Sequence, residues 1–100
     1  MEKISVLGGG FGGIASAIRL RARGNDVSLY ERLPNLGGRA QVFEKNGFVH
    51  DAGPTVITAP NLLYELFERL GENLDEHLEL KPLDPCYRFY FSNTKTNFDY

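Results

Sequence analysis

At 100 residues, with 42% hydrophobic and 12% aromatic content, the chain suffices for one small domain and a modest core, not for a large enzyme with a deep substrate domain. A charged fraction of 24%, balanced by many Leu, Ile, Val and Phe positions, argues against disorder, and a net charge of -2 offers no basic stripe for a nucleic acid. The single cysteine, Cys86, excludes an internal disulfide framework and a multi-cysteine metal site, so nothing requires an oxidising compartment.

Met1-Glu2-Lys3 leads into only four strand-like residues, Ile4 to Leu7, too few for the apolar stretch of an export signal. No segment approaches the roughly eighteen uninterrupted apolar residues of a transmembrane helix. A cytoplasmic location is expected, with any membrane contact peripheral. From Phe11 the apolar period becomes helical, through Ile14, Ala17 and Ile18, and Gly24-Asn25 is the expected stop because glycine tolerates the left-handed conformation there. Val27 to Tyr30 reads as a second strand, ending at Glu31. A strand, a helix and a strand within some thirty residues form a parallel crossover unit of right-handed sense.

Leu33 to Gly38 is a loop by composition. Ala40 to Lys45 and Phe48 to Asp51 read as strands of a hairpin around Asn46-Gly47, and Gly53-Pro54 ends the second. Leu62, Leu63, Leu66, Phe67 and Leu70 form one apolar helical stripe, with Asn61 the expected cap and Gly71 the expected stop. Strands are expected at Leu78 to Leu80, Tyr87 to Phe91 and Thr96 to Tyr100, with Ser92 to Lys95 as a turn. The last strand has no turn, cap or polar tail after it, and two parallel strands with several unpaired later ones are an incomplete architecture. The pattern is that of a piece of something longer.

The chemistry concentrates in the glycines. Gly8, Gly10 and Gly13 stand in a G-x-G-x-x-G array after a strand and at the start of a helix. Gly8 allows the tight turn, Gly10 lets a pyrophosphate approach the backbone, and Gly13 lets the helix pack closely. The free N–H groups and partial positive charge of a helix N-terminus face the phosphates. Glu31 lies 18 positions past Gly13, near the offset for gripping a ribose hydroxyl, and an acid there favours the unphosphorylated ribose of NAD or FAD over NADP. The combination reads as a dinucleotide site rather than a bare tight turn. Leu36-Gly37-Gly38-Arg39 suits a larger ligand with more phosphate and flavin surface; taken alone, Gly37-Gly38 reads more readily as a turn and Arg39 as a surface cation.

The run G-G-G-F-G-G, then Y-E-R, then G-G-R-A, then G-F-V-H-D-A-G-P-T resembles the N-terminus of the phytoene desaturase family, FAD-dependent carotenoid desaturases and oxidases within the broader flavin amine oxidase-like group. The resemblance runs from Lys3 to about Tyr100, the first part of a family whose members are several times longer. Asp51-Ala52-Gly53-Pro54-Thr55 is its most particular stretch. The resemblance implies that Gly8, Gly10, Phe11 and Gly13 wrap the FAD pyrophosphate and that Glu31 takes the adenosine ribose with Arg32 beside it. It places Gly38 and Arg39 at a phosphate or the flavin side, and Gly53, Pro54 and Thr55 near the isoalloxazine. Much of the broader group has a basic residue before the paired glycines, where Asn35-Leu36 stand here, which weakens an amine-oxidase reading.

The expected fold is therefore α/β: a Rossmann-like FAD-binding strand-helix-strand unit, then a β-hairpin, a helix and antiparallel strands of an incomplete substrate-side region. Residues 1–100 form the N-terminal portion of that domain, with the substrate side starting at about residue 59. The implied activity of the full-length protein is dehydrogenation of a carotenoid polyene by hydride transfer to flavin, with the 100-residue piece alone inactive. The alternatives are another flavin enzyme acting on amines or porphyrinogens, or a stand-alone non-catalytic dinucleotide-binding module. No residue stands out as a catalytic base. Tyr87, Phe89 and Phe91 alternate at strand spacing and are expected in the core. His50 is expected half-buried, His77 on the surface and Cys86 as a buried thiol, and the acids from Glu65 to Glu79 as a solvated helix face.

Overall fold

In the computed structural model, which describes residues 1–100, strand β1 (Lys3–Leu7) alternates exposed and half-buried residues with Ile4 and Val6 inward, as the two-residue period of a strand demands. Helix α1 (Phe11–Ala22) comes next, and β2 (Asp26–Tyr30) returns parallel to β1, with Ile4 opposite Val27 and Val6 opposite Leu29. These four half-buried residues share one face of the pair, and α1 packs against both strands. The helix ends where expected. Gly24, at φ +85°, donates its N–H to Arg21 O at 2.9 Å, and Leu20 O accepts the Arg23 N–H at 3.2 Å and the Asn25 N–H at 3.3 Å, so carbonyls of the last turn are satisfied.

The loop after β2 runs into a single 3-10 turn, Gly38–Ala40, before the antiparallel hairpin of β3 (Val42–Lys45) and β4 (Phe48–Asp51). The sequence pattern puts Ala40 and Gln41 in that first strand. Ala40 instead donates to Gly37 O at 3.0 Å and closes the turn, so the ladder starts later. Asn46 and Gly47 both take positive φ, 55° and 78°, the geometry that two-residue hairpin turns require.

Helix α2 (Pro60–Glu68) starts one residue before the expected cap. Pro60 occupies its first position, where a fixed φ and a missing N–H are harmless, and Asn61 lies inside the first turn. Gly71, at φ +74°, ends it with N–H bonds from Gly71 to Glu68 O and from Glu72 to Phe67 O. Leu66 of α2 and Leu74 of a 3-10 turn at Leu74–Glu76 are two of only three buried residues, the third being Gly9. Leu78 to Leu80 form no strand, because the Leu78 N–H is taken by Leu74 O at 2.9 Å and the prolines Pro82 and Pro85 come soon after.

The last hairpin pairs β5 (Arg88–Phe91) with β6 (Thr96–Asp99), and reciprocal bonds between Tyr87 and Tyr100 extend it by one pair. Tyr87, Phe89 and Phe91 are about half exposed, contrary to the core expectation, because the stripe lies on a two-stranded ribbon with no inner layer over it. His50 is likewise exposed and stacked on Phe43 across its hairpin at 5.1 Å, and Cys86 is half-buried rather than buried. His77 is on the surface, 3.2 Å from Glu72. Of the acidic run only Glu65 and Glu68 belong to α2, and Glu65 is half-buried beside Arg69. No helix is long and apolar enough to cross a membrane.

The three sheets have two strands each and are strung along a shape of 62 × 33 × 24 Å. The radius of gyration is 18.3 Å, against about 13 Å for a compact chain of this length.

Candidate dinucleotide site

Three separate segments meet at the N-terminal end of α1. The first is the turn after β1. Gly8 takes φ +98° and donates to Tyr30 O at 2.7 Å, which turns the chain out of the sheet. Gly13 then passes so close behind that a Cβ on it would collide with the Gly8 carbonyl oxygen, and would lie 3.7 Å from Val6 Cγ1. No side chain caps α1 and no acid stands in its first turn. The N–H groups of Phe11, Gly12 and Gly13 therefore have no intrahelical partner and present the positive end of the helix.

The second segment is the loop after β2, which folds back over the first. Gly37 N–H donates to Gly9 O at 2.8 Å, and Gly10 and Gly37 form an isolated parallel bridge. Gly38, at φ +60°, comes so near that a Cβ on it would sit 3.0 Å from Gly10 Cα. The third segment is the end of the first hairpin, where a Cβ on Gly53 would overlap the Arg39 carbonyl oxygen.

These close approaches enclose a cleft of about 900 Å³ whose walls are Gly10 to Gly12, Gly37 to Gln41 and Ala52 to Pro54. Of the residues singled out in the sequence, Gly10, Phe11, Gly38, Arg39, Gly53 and Pro54 line it together. Gly8 and Gly13 shape the turn from behind. Thr55 lines a neighbouring cavity of about 630 Å³ with Ile57, Tyr64, Cys86 and Tyr87, and Arg32 is exposed outside both. Arg39 is exposed and enters none of the four salt bridges, so its charge is free at the cleft.

Glu31 stands behind the cleft rather than in its wall. Its Oε2 accepts the Gly9 N–H at 2.6 Å and its Oε1 the Leu33 N–H at 2.8 Å. The Leu33 bond, then the Gly9 bond, holds this carboxyl below the usual glutamate range. Gly37, read from the sequence as part of the paired-glycine motif, also belongs to the site, as do Gly9, Gly12, Ala40, Gln41 and Ala52, to which the sequence motifs assign no contact. For Gly9 the signal is present as a third glycine between two that the motif already explains.

The family described as an NAD(P)-binding Rossmann-like domain matches residues 6–70. The chain is 49% identical over 100 residues to a phytoene desaturase (lycopene-forming) of Pantoea ananas, covering 99% of this chain and 20% of that protein. It is 38% identical over 90 residues to a 4,4'-diapophytoene desaturase (4,4'-diaponeurosporene-forming) of Staphylococcus haemolyticus, covering 90% of this chain and 18% of that one. A crystal structure of an oxidoreductase from Methanosarcina mazei superposes on 55% of the chain with a TM-score of 0.49 and 40% identity, 13% of that structure being covered. The chain thus spans about a fifth of the length of the curated relatives it matches.

Proposed function

The chain belongs to the NAD(P)-binding Rossmann-like domain family, and from that premise we propose that it is the N-terminal, FAD-binding portion of a carotenoid desaturase-like oxidoreductase. One observation carries the cofactor reading: three glycine-bearing segments converge on a single cleft at an uncapped helix N-terminus. The backbone comes close in places where a Cβ would not fit, and the Phe11 and Gly12 N–H groups, which have no intrahelical partner, stand at the cleft where an anionic group would be held. This is the chemistry of a pyrophosphate cradle.

The preference for FAD over a nicotinamide cofactor rests on the path of the chain after β2. It turns back over the glycine turn instead of entering another crossover helix, and the cleft continues past Arg39 to Gly53 and Pro54. Gly10 to Gly13 would hold the pyrophosphate, Glu31 the adenosine ribose with Arg32 beside it, Arg39 a phosphate oxygen, and Gly53, Pro54 and Thr55 the flavin side. FAD, when bound, supplies a two-electron hydride acceptor. The residues here would bind and orient it.

The substrate reading rests on the names of the relatives, which are desaturases of phytoene and diapophytoene. Residues from about 59 onward then begin the substrate side, where Ile57, Tyr64, Leu83 and Tyr87 border the second cavity. So apolar a substrate favours a cytoplasmic enzyme working at the membrane surface.

The test is to purify the protein as its gene encodes it, release the bound cofactor by heat, and identify it by chromatography and fluorescence. FAD in near-stoichiometric amount is expected, with turnover of a phytoene-like polyene in vesicles. Retention of NAD without flavin would overturn the cofactor reading, and turnover of amines without polyenes would overturn the desaturase reading.

A further inference from the structure

We propose that Glu31 acts on the cofactor through Gly9, as the positioning residue that ties the glycine turn after β1 to the loop after β2 and so sets two of the three walls of the cleft. The inference rests on the dinucleotide reading above and gives that site a built-in strut behind the ligand.

The geometry closes a ring. Gly9 N–H bonds to Glu31 Oε2 at 2.6 Å, Leu33 N–H bonds to Glu31 Oε1 at 2.8 Å, and Gly37 N–H returns to Gly9 O at 2.8 Å. Gly9 thus has both backbone polar groups engaged and is one of only three buried residues. Its φ is not positive, so the requirement for glycine is one of space. A Cβ there would overlap Leu36 Cδ2 and lie 3.1 Å from Glu31 Oε2. A Cβ on Gly12, by contrast, would have nothing within 4 Å, and one on Gly10 would meet only Gly38 Cα at 3.7 Å. At Gly9 the tight packing is therefore behind the cleft, since Gly9 does not line it.

Two of the three walls leave from this ring: Gly10 to Gly12 directly after Gly9, and Gly38 to Gln41 directly after Gly37. A short hydrogen bond to an ionised carboxylate is the stronger kind, and a neutral amide in its place satisfies only one of two N–H donors while turning its own NH₂ toward the other. Each carboxylate oxygen keeps a second lone pair, so the tie and a ribose hydroxyl are compatible on one side chain.

Two measurements on the gene-encoded protein decide it. With [15N]glycine labelling, the Gly9 amide resonance, assigned by its loss in Gly9→Ala, is expected to move with pH as Glu31 ionises and to lose that response in Glu31→Gln. FAD titrations of wild type, Gly9→Ala, Glu31→Gln and the double variant are expected to show each single change weakening binding about 10- to 100-fold. The double variant is expected to be no more than about threefold weaker than the worse single, the non-additivity of residues acting as one unit. A Gly9 amide blind to Glu31, or losses that multiply in the double variant, overturns the proposal and leaves Glu31 as a ribose ligand only. If Glu31→Gln does not fold, the wild-type pH titration still decides between the two. Should the wild type take up no FAD, the FAD reading fails, and the same four titrations with NAD⁺ decide the tie.

Discussion

A methyl group at Gly13 has no room, since it would enter the Gly8 carbonyl oxygen, and this single contact sets how closely α1 approaches the turn out of β1. Gly13→Ala is expected to cost about 1–3 kcal/mol of stability and at least tenfold in FAD affinity, read by chemical denaturation and by flavin fluorescence titration. Gly12→Ala is the contrast. With open space around it, the change is expected to leave stability unchanged or raise it by about 0.5–1 kcal/mol, as alanine replaces glycine in a helix. Equal destabilisation by the two would refute the packing argument. Glu31 adds a pH dependence. Its carboxyl lies below the ordinary value of 4.5 because two backbone N–H groups stabilise the anion. Its contribution is therefore complete above pH 4.5 and is lost as the pH falls through the lower folded-state value. Denaturation of wild type and Glu31→Gln across that range should give a stability gap that closes toward acid pH; a gap that widens there would contradict the sign.

At the scale of elements, the two helices stop by the same device. Gly24 and Gly71 adopt positive φ, and each returns its N–H to a carbonyl in the last turn. An alanine at Gly71 meets no neighbour, so its penalty is conformational alone, about 1–2 kcal/mol. Thermal unfolding of Gly71→Ala measures it, and an unchanged midpoint would show that α2 ends by another means. These stops, and the Asn46-Gly47 turn between β3 and β4, are legible in the sequence because a positive φ is written in the residue that must adopt it. The false strand at Leu78 to Leu80 has the opposite lesson. Its apolar pattern suits a strand, but the Leu78 N–H is already committed to the turn at Leu74. The aromatic alternation at Tyr87, Phe89 and Phe91 reads correctly as a strand and wrongly as core, since period two reports a face without saying what covers it.

Over the whole molecule, the accessible surface is 8564 Å², where a compact protein of this mass exposes about 5,700 Å². Much of the excess is apolar: Phe48, Val49, Tyr90, Phe98 and Tyr100 are all more than half exposed. Residues 1–100 expressed alone are accordingly expected to bind a hydrophobic dye and to associate, with apparent mass rising with concentration in sedimentation experiments. A dye-negative monomer at all concentrations would contradict this and favour an independent binding module.

What the sequence by itself determined is local: the strand-helix-strand order, the glycine turn that opens α1, the helix stops and the hairpin turn. Each arises from backbone conformations and N–H partners a few residues apart, which residue type and spacing encode directly. The tertiary structure alone decided that Gly37 and Gly38 lie against Gly10, that Gly53 abuts Arg39, and that Glu31 reaches back to Gly9. These are contacts between segments some 14 to 28 residues apart. They depend on which atoms exclude one another once the chain has turned back, and no single segment contains that information. The glycines announced that something must come close; only the fold showed what.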